Sequence, residues 1–311
     1  MISLTGENIV LIGALLLFVA VVAGKLAYRF GAPALLLFLG VGMLFGLDFI
    51  SYRSTDVTQF IGMISLCVIL FTGGMDTKVS EIRPIVGPGV VLATVGVLLT
   101  ALILAGFVWL IAPWIGLEMP FALALLLAST MSSTDSASVF SILRSKKQGL
   151  RQHLRPLLEL ESGSNDPMAY MLTVLLVGVL SGPASGHVDL GVGMLYLVVQ
   201  LVVGALTVPQ LAILLPSVIV GLLLAVWTIN RINLVNHSLY VVLLLAFVFF
   251  SFAFTDLIRG NGYLAVYLAG LVVGNHKLVQ KRPLTVFFDG FTWVMQIVMF
   301  LTLGLFVNSK E

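Results

Sequence analysis

The sequence predicts an all-α polytopic membrane protein. Three observations carry that prediction. Of its 311 residues, 59% are apolar, and the mean hydropathy is +1.13. Only 10% are charged, against roughly 25% in a soluble domain. Apolar runs of about 20 residues, the length that crosses a bilayer core as a helix, recur from end to end. Together they exclude a disordered chain, a disulfide-stapled secreted domain and a soluble enzyme. The single cysteine, Cys67, lies inside an apolar run, so no intramolecular disulfide can form. The net charge of +2 says little about partners, because membrane proteins distribute basic residues by topology. The first apolar stretch lacks a basic leader and an Ala-x-Ala site, and is read as a span rather than a cleaved signal.

Ten spans are expected within one transmembrane domain, 1–311. Six cover 8–28, 33–50, 57–75, 84–112, 118–143 and 155–181. One crossing lies in 188–229, and three more cover 237–256, 261–276 and 285–307. Several are short or Gly-rich, which suits close helix contact. Most acids fall near span ends: Glu7, Asp48, Asp56, Asp76, Glu81, Glu118, Asp189, Asp256 and Asp289. Region 188–229 would run roughly 63 Å as one helix, and Pro209 and Pro216 interrupt it. Charge settles its parity. With one crossing there and the N-terminus outside, Arg53, Arg259 and Lys310 lie on one face of the membrane and the other 13 Lys and Arg on the opposite one. That is a strong positive-inside pattern, so the rest of the region is read as bent, re-entrant or interfacial.

An internal repeat is visible. Residues 33–46 read PALLLFLGVGMLFG and residues 261–274 read NGYLAVYLAGLVVG, so that Gly42 and Gly46 fall on Gly270 and Gly274. Each segment precedes a helix ending in a Phe and Gly cluster, Phe71, Gly73 and Gly74 in one case, Phe300 and Gly304 in the other. The two pairs cross in opposite senses under this topology, as in the inverted repeats of secondary transporters.

Three acids resist the bland reading. Asp135, inside the fifth span, is flanked by Ser129, Thr130, Ser132, Ser133, Thr134, Ser136 and Ser138. Such hydroxyls compete for backbone hydrogen bonds and let a helix open. An opened helix offers carbonyls and terminal dipoles to an ion. The alternative is a continuous helix with back-bonded hydroxyls. The sixth span carries Glu159, Glu161, Ser162, Gly163, Ser164, Asn165, Asp166 and Pro167. Ser162 and Asp166 share a helix face at i,i+4, as do Glu161 and Asn165. Pro167 cannot donate to the Gly163 carbonyl, which leaves a bare acceptor beside the carboxylates. A buried carboxylate needs a positive companion, and a proton or a cation can serve. Each displaces the other, which is what a proton–cation exchanger requires of one site. The alternative is a structural buried network.

Other chemistries lack support. His153, His187, His237 and His276 lie in loops or at span ends, so none is placed as a base for Ser164. There is no HExxH-type metal spacing and no Gly-rich phosphate loop after a strand, hence no nucleotide partner and no enzyme. The basic residues are topological, which removes nucleic acid. The Arg144–Arg155 loop reads as a cytoplasmic anchor, with regulation by anionic lipid as the alternative.

Leu160-Glu161-Ser162-Gly163-Ser164-Asn165-Asp166-Pro167-Met168-Ala169 resembles the sixth-helix motif of the monovalent cation:proton antiporter-1 superfamily, most closely its NhaP-type bacterial branch of potassium (or sodium)/proton antiporters. Ser133-Thr134-Asp135-Ser136-Ala137 is similar to the family's broken fifth helix, and 260–270 and 296–300 to two further segments. The resemblance implies a fold of about 13 helices, built as two inverted repeats with discontinuous helices crossing near mid-membrane. It implies a dimerisation or interface part at 1–75 and a core ion-translocation part at 84–181. Region 188–229 would be the linking helix, and 237–307 an interface part of an incomplete second repeat. Against that fold the last three helices are absent, and with them a basic partner for Glu161. The chain is therefore expected to be a truncated product.

The same resemblance implies that Asp166 carries proton and cation in turn and that Asn165 marks the electroneutral type. Thr134 and Asp135 help to build the cation site, Ser162 is a minor ligand, and Glu161 belongs to a structural ion pair or network. The cation would lie at Asp166 and Thr134. The expected function is secondary antiport of H⁺ against K⁺ or Na⁺ by alternating access. The protein would be a multi-pass homodimer in the lipid of the inner (cytoplasmic) membrane, with no cofactor, no nucleotide and no nucleic acid. A cation channel and a non-transporting scaffold or inactive fragment are the competing readings.

Overall fold

A computed structural model describes residues 6–30, 34–48, 55–134, 154–180, 238–257 and 261–307, with isolated positions at 139, 227, 230–232, 234 and 236. Among these all regular structure is helical. Helix α1 spans Gly6–Phe30, α2 Ala34–Asp48 and α3 Thr55–Asp76. The fourth span is interrupted rather than continuous. It runs as α4 (Val79–Ile82), a 3₁₀ turn Arg83–Ile85, α5 (Val86–Val91), a π turn Leu92–Gly96 and α6 (Val97–Ile111). Pro84 and Pro88 remove two helix donors there. Thr94 Oγ1 donates back to Val90 O at 2.7 Å within the widened turn. A second 3₁₀ turn, Ala112–Ile115, closes on Gly116 at φ 78°, where a Cβ would be strained.

Helix α7 covers Phe121–Thr130 and α8 Leu154–Leu180. Then follow α9 (Leu239–Leu257), α10 (Gly262–Asn275) and α11 (Lys281–Phe306). Apart from the fourth and fifth spans, the expected segments are recovered to within a few residues wherever they are described. Region 188–229, except Trp227, and the Arg144–Arg155 loop up to His153 lie outside the described residues. Four helical stretches are long and apolar enough to cross a membrane: Thr55–Asp76, Val79–Ile115, Leu239–Leu257 and Lys281–Phe306. Large apolar side chains face outward along them. Ile103 on α6, for example, is 72% exposed, a surface suited to lipid and not to water.

The glycine repeat organises the centre of the fold. Helix α2 packs on α11, and α10 packs on α3. A Cβ on Gly42 would run into Leu301 O and lie 2.9 Å from Gly304 Cα, and one on Gly46 would lie 3.0 Å from Leu305 O. In the other pair a Cβ on Gly270 would run into Phe71 O and one on Gly274 into Met75 O. In return Gly304 abuts Leu39 O and Gly74 abuts Tyr267 O. The offset that carries Gly42 onto Gly270 also carries Leu39 onto Tyr267. A second single offset carries Phe71, Gly74 and Met75 onto Leu301, Gly304 and Leu305. The two crossings are therefore equivalent, and each repeat donates one helix to each. Backbones that approach this closely exclude any side chain, which is why small residues stand there.

Two bodies of apolar packing result. One joins α1, α2, α3, α9, α10 and α11 through Phe38, Ile69, Phe71, Leu244, Val266 and Phe288. The other joins α6, α7 and α8 through Ala101, Leu125, Ala128 and Leu176. Between them Leu70, Ile82, Leu160 and Tyr267 form a small buried seam.

Candidate ion-translocation site

The site is built where α7 ends against the middle of α8. The last turn of α7 is consumed by its own hydroxyls. Ser129 Oγ donates to Leu126 O at 2.7 Å, Thr130 Oγ1 to Leu127 O at 2.7 Å, and Ser132 Oγ to Ser129 O at 2.8 Å. These hydroxyls bond to carbonyls of the last turn and compete there with backbone amides. The chain leaves the helix at Thr130, and residues 131–134 are non-helical. The opened helix expected from the hydroxyl-rich run is thus present. Asp135 itself lies outside the described residues.

Helix α8 presents its polar face to this end. Ser129 Oγ and Thr173 Oγ1 stand 3.0 Å apart and pin α7 to α8. Further along, Asn165 Nδ2 donates to Thr134 Oγ1 at 2.6 Å and to Glu161 Oε1 at 2.9 Å. Ser162 Oγ donates to Glu161 Oε2 at 3.2 Å and lies 3.2 Å from Thr134 Oγ1. Ser133 Oγ reaches Asp166 Oδ1 at 2.5 Å and Asn165 Oδ1 at 3.0 Å. Ser162 and Asn165 are 0% and 1% exposed, whereas Glu161 and Asp166 are half-buried. The buried members, Ser162 and Asn165, must find their partners within the cluster. The donors add up: both Asn165 hydrogens, the Thr134 hydroxyl and the Ser162 hydroxyl form one directed chain ending on the two Glu161 oxygens.

Five predicted residues, Asp166, Asn165, Thr134, Ser162 and Glu161, are therefore brought together. The i,i+4 pairing of Glu161 with Asn165 is realised as a hydrogen bond. Among the described residues Glu161 is held by an amide and a hydroxyl and not by a base. Glu159 pairs instead with Arg155, Nε to Oε1 at 2.9 Å. Gly163 has a further reason to be glycine: a Cβ there would meet the Tyr267 ring, with Cζ at 2.8 Å. Three contributors were not singled out as site residues from sequence. Ser133 contacts Asp166 directly. Asn261 caps α10 by accepting from Leu264 N at 3.1 Å, and donates Nδ2 to Pro167 O at 2.9 Å, one residue beyond Asp166. Tyr267 covers Gly163. The serine carried a signal in its place in the hydroxyl run, and Asn261 and Tyr267 in their place in the family-like segment 260–270.

A bundle of apolar helices with an interrupted helix facing a half-buried carboxylate defines a polytopic membrane protein with an internal polar site. The family model described as "Sodium/hydrogen exchanger, transmembrane" matches residues 14–310, and the chain belongs to that family. It is 38% identical over 307 residues to the K(+)/H(+) antiporter NhaP of Alkalimonas amylolytica, covering 98% of this chain and 50% of that protein. It is 34% identical over 308 residues to the K(+)/H(+) antiporter NhaP2 of Shewanella sp. (strain MR-4), covering 97% and 50%. The chain thus spans about half the length of these relatives. The structure of the sodium proton antiporter MjNhaP1 from Methanocaldococcus jannaschii at pH 8 shares the fold, with a TM-score of 0.72 at 21% identity, over 97% of this chain and 73% of that one.

Proposed function

We propose that this chain carries the exchange site of a secondary antiporter that moves H⁺ against K⁺ or Na⁺ across the cytoplasmic membrane. The observation that supports it is the placing of Asp166, midway along α8, opposite the open end of α7, where Ser133 reaches its carboxylate. A cation and a proton compete for that carboxylate, and alternating access exposes it to one side at a time. Thr134, with the neighbouring Asp135, completes the cation site, and Ser162 is a minor ligand. Glu161 holds the network that orients Asn165. The bundle of α5–α8 is the moving core part (84–181). Residues 1–75 and 237–307 form the interface part, through which two copies associate in the lipid, and 188–229 links the repeats. The relatives' names, K(+)/H(+) antiporter, favour these ions. No cofactor, nucleotide or enzymatic step is invoked.

The test reconstitutes the complete gene product in proteoliposomes with an imposed pH gradient. Added K⁺ or Na⁺ should dissipate the gradient, even against an opposing cation gradient, and Asp166→Asn should abolish the response. Equal activity in Asp166→Asn would end the proposal, and cation flux that only runs downhill without protons would favour a channel.

A further inference from the structure

The oxygen count around Ser133 does not close. Its hydroxyl carries one hydrogen, yet Asp166 Oδ1, Asn165 Oδ1 and Thr134 O stand 2.5, 3.0 and 3.2 Å from Oγ. The amide of Asn165 cannot turn to supply a second donor, because both Nδ2 hydrogens are committed to Thr134 Oγ1 and Glu161 Oε1. Its Oδ1 is therefore held facing Ser133 with lone pairs only. The one hydrogen goes to the carboxylate, the stronger acceptor. Among the described residues Asn165 Oδ1 is thus an acceptor that loses the Ser133 hydrogen to the carboxylate beside it, and oxygens gathered in this way are what a hard monovalent cation replaces water with.

We propose that Ser133 is a direct ligand of the transported cation and that its Oγ, with Asn165 Oδ1 and Asp166 Oδ1, sets the size of the ion accepted. The inference rests on the exchange reading above and adds to it a specificity-determining residue. Ser133 stands on the non-helical segment 131–134, so no helix hydrogen bond fixes its backbone. Rotation about Cα–Cβ lets the hydroxyl withdraw from Asp166 to admit the ion and then turn a lone pair to it. Thr134, by contrast, spends its hydroxyl inside the network. Ser133 thus adds to the cation site at Asp166 and Thr134 a hydroxyl that is not held within the Glu161 network.

The experiment measures dissipation of the pH gradient by stepped K⁺, Na⁺ and Li⁺ in the same proteoliposomes. Ser133→Ala should raise the half-saturating cation concentration about tenfold, the worth of one hydrogen-bonding ligand at a charged site. Its maximal rate should stay within about twofold, and the ratio of half-saturation between the three ions should shift. Ser133→Thr, which keeps the hydroxyl, should restore wild-type saturation. Ser133→Cys keeps the shape but offers a soft ligand that suits alkali ions poorly, so it should behave as Ala does, and it serves if Ala folds badly. Wild-type saturation in Ala and Cys overturns the assignment. So does a fall in maximal rate at unchanged half-saturation, which is the mark of a structural role. A wild type that shows no cation-dependent dissipation removes the exchange reading itself. An active wild type, a silent Asp166→Asn and unaffected Ser133 variants remove only the claim about Ser133.

Discussion

Replacing Asn165 by Ala tests whether the α7–α8 network holds the site together. The side chain is 1% exposed, so water does not replace what it loses. Truncation strips a donor from Glu161 Oε1, at 2.9 Å, and from Thr134 Oγ1, at 2.6 Å. A hydrogen bond to a charged group contributes about 1.5–3 kcal/mol and one between neutral groups about 1 kcal/mol. The expected cost is therefore roughly 3 kcal/mol. Thr134→Val removes the hydroxyl from the same pair. It also cuts the link to Ser162 at 3.2 Å, but Thr134 is exposed and water compensates, so its cost is nearer 1 kcal/mol. Because the two changes break one shared bond, the double variant should fall short of additivity by about 0.5–1 kcal/mol. The assay is equilibrium unfolding in mixed micelles for the wild type, both single variants and the double. An Asn165→Ala loss below about 0.5 kcal/mol, or strict additivity, would show that the hydrogen bonds between Asn165, Thr134 and Glu161 do not bear on stability.

Two further predictions concern packing. Gly270→Ala and Gly42→Ala should each lower the apparent melting temperature by several degrees, since overpacking against backbone costs about 1–3 kcal/mol. Gly62→Ala should leave it unchanged or slightly higher, because nothing lies within 4 Å of the added Cβ. If Gly42→Ala is silent while Gly270→Ala is not, the equivalence of the two crossings fails. Asn261→Ala should cost about 1–2 kcal/mol through loss of the α10 cap and of the bond to Pro167 O. Asn261→Asp, as good a cap, should not restore stability, because it brings a carboxylate to a carbonyl oxygen. Full rescue by Asp would mean that the contact with α8 contributes nothing.

Much of the fold was legible because bilayer-length apolar runs leave few alternatives. The Glu161–Asn165 bond was legible too, since i,i+4 residues meet on any helix. The opening of α7 followed from a local cause, hydroxyls competing for the carbonyls of one turn. What could not be read were meetings across sequence. Ser133 and Asp166 come together only through the docking of α7 on α8. Gly163 looked like a residue needed to free a carbonyl, and the Tyr267 ring that also requires it lies on a distant helix. The π turn at Leu92–Gly96 has no residue signature of its own. Self-similarity between 33–46 and 261–274 shows which residues are equivalent, but not that α2 packs on α11 rather than on α3. That choice depends on which glycine surfaces fit one another in three dimensions.

The same geometry bears on how the site could move. Ser133 and Thr134, just past the end of α7, are joined by hydrogen bonds to Glu161, Ser162, Asn165 and Asp166 on α8, within one body of the fold. Among the described residues, side chains tie this body to the other near Asp166: the Asn261–Pro167 bond, the Tyr267 ring over Gly163, the edge-on Tyr170–Tyr263 pair, and the seam of Leu70, Ile82 and Leu160. The glycine crossings are the opposite case, backbone against backbone, with no slack to slide. Any rearrangement that leaves the hydrogen-bonded network intact therefore costs least at the seam. Tyr267 belongs to both structures, since its carbonyl meets Gly74 in a rigid crossing while its ring touches Gly163 in the seam. The ring thus lies where the two bodies meet, one turn of α8 from the carboxylate.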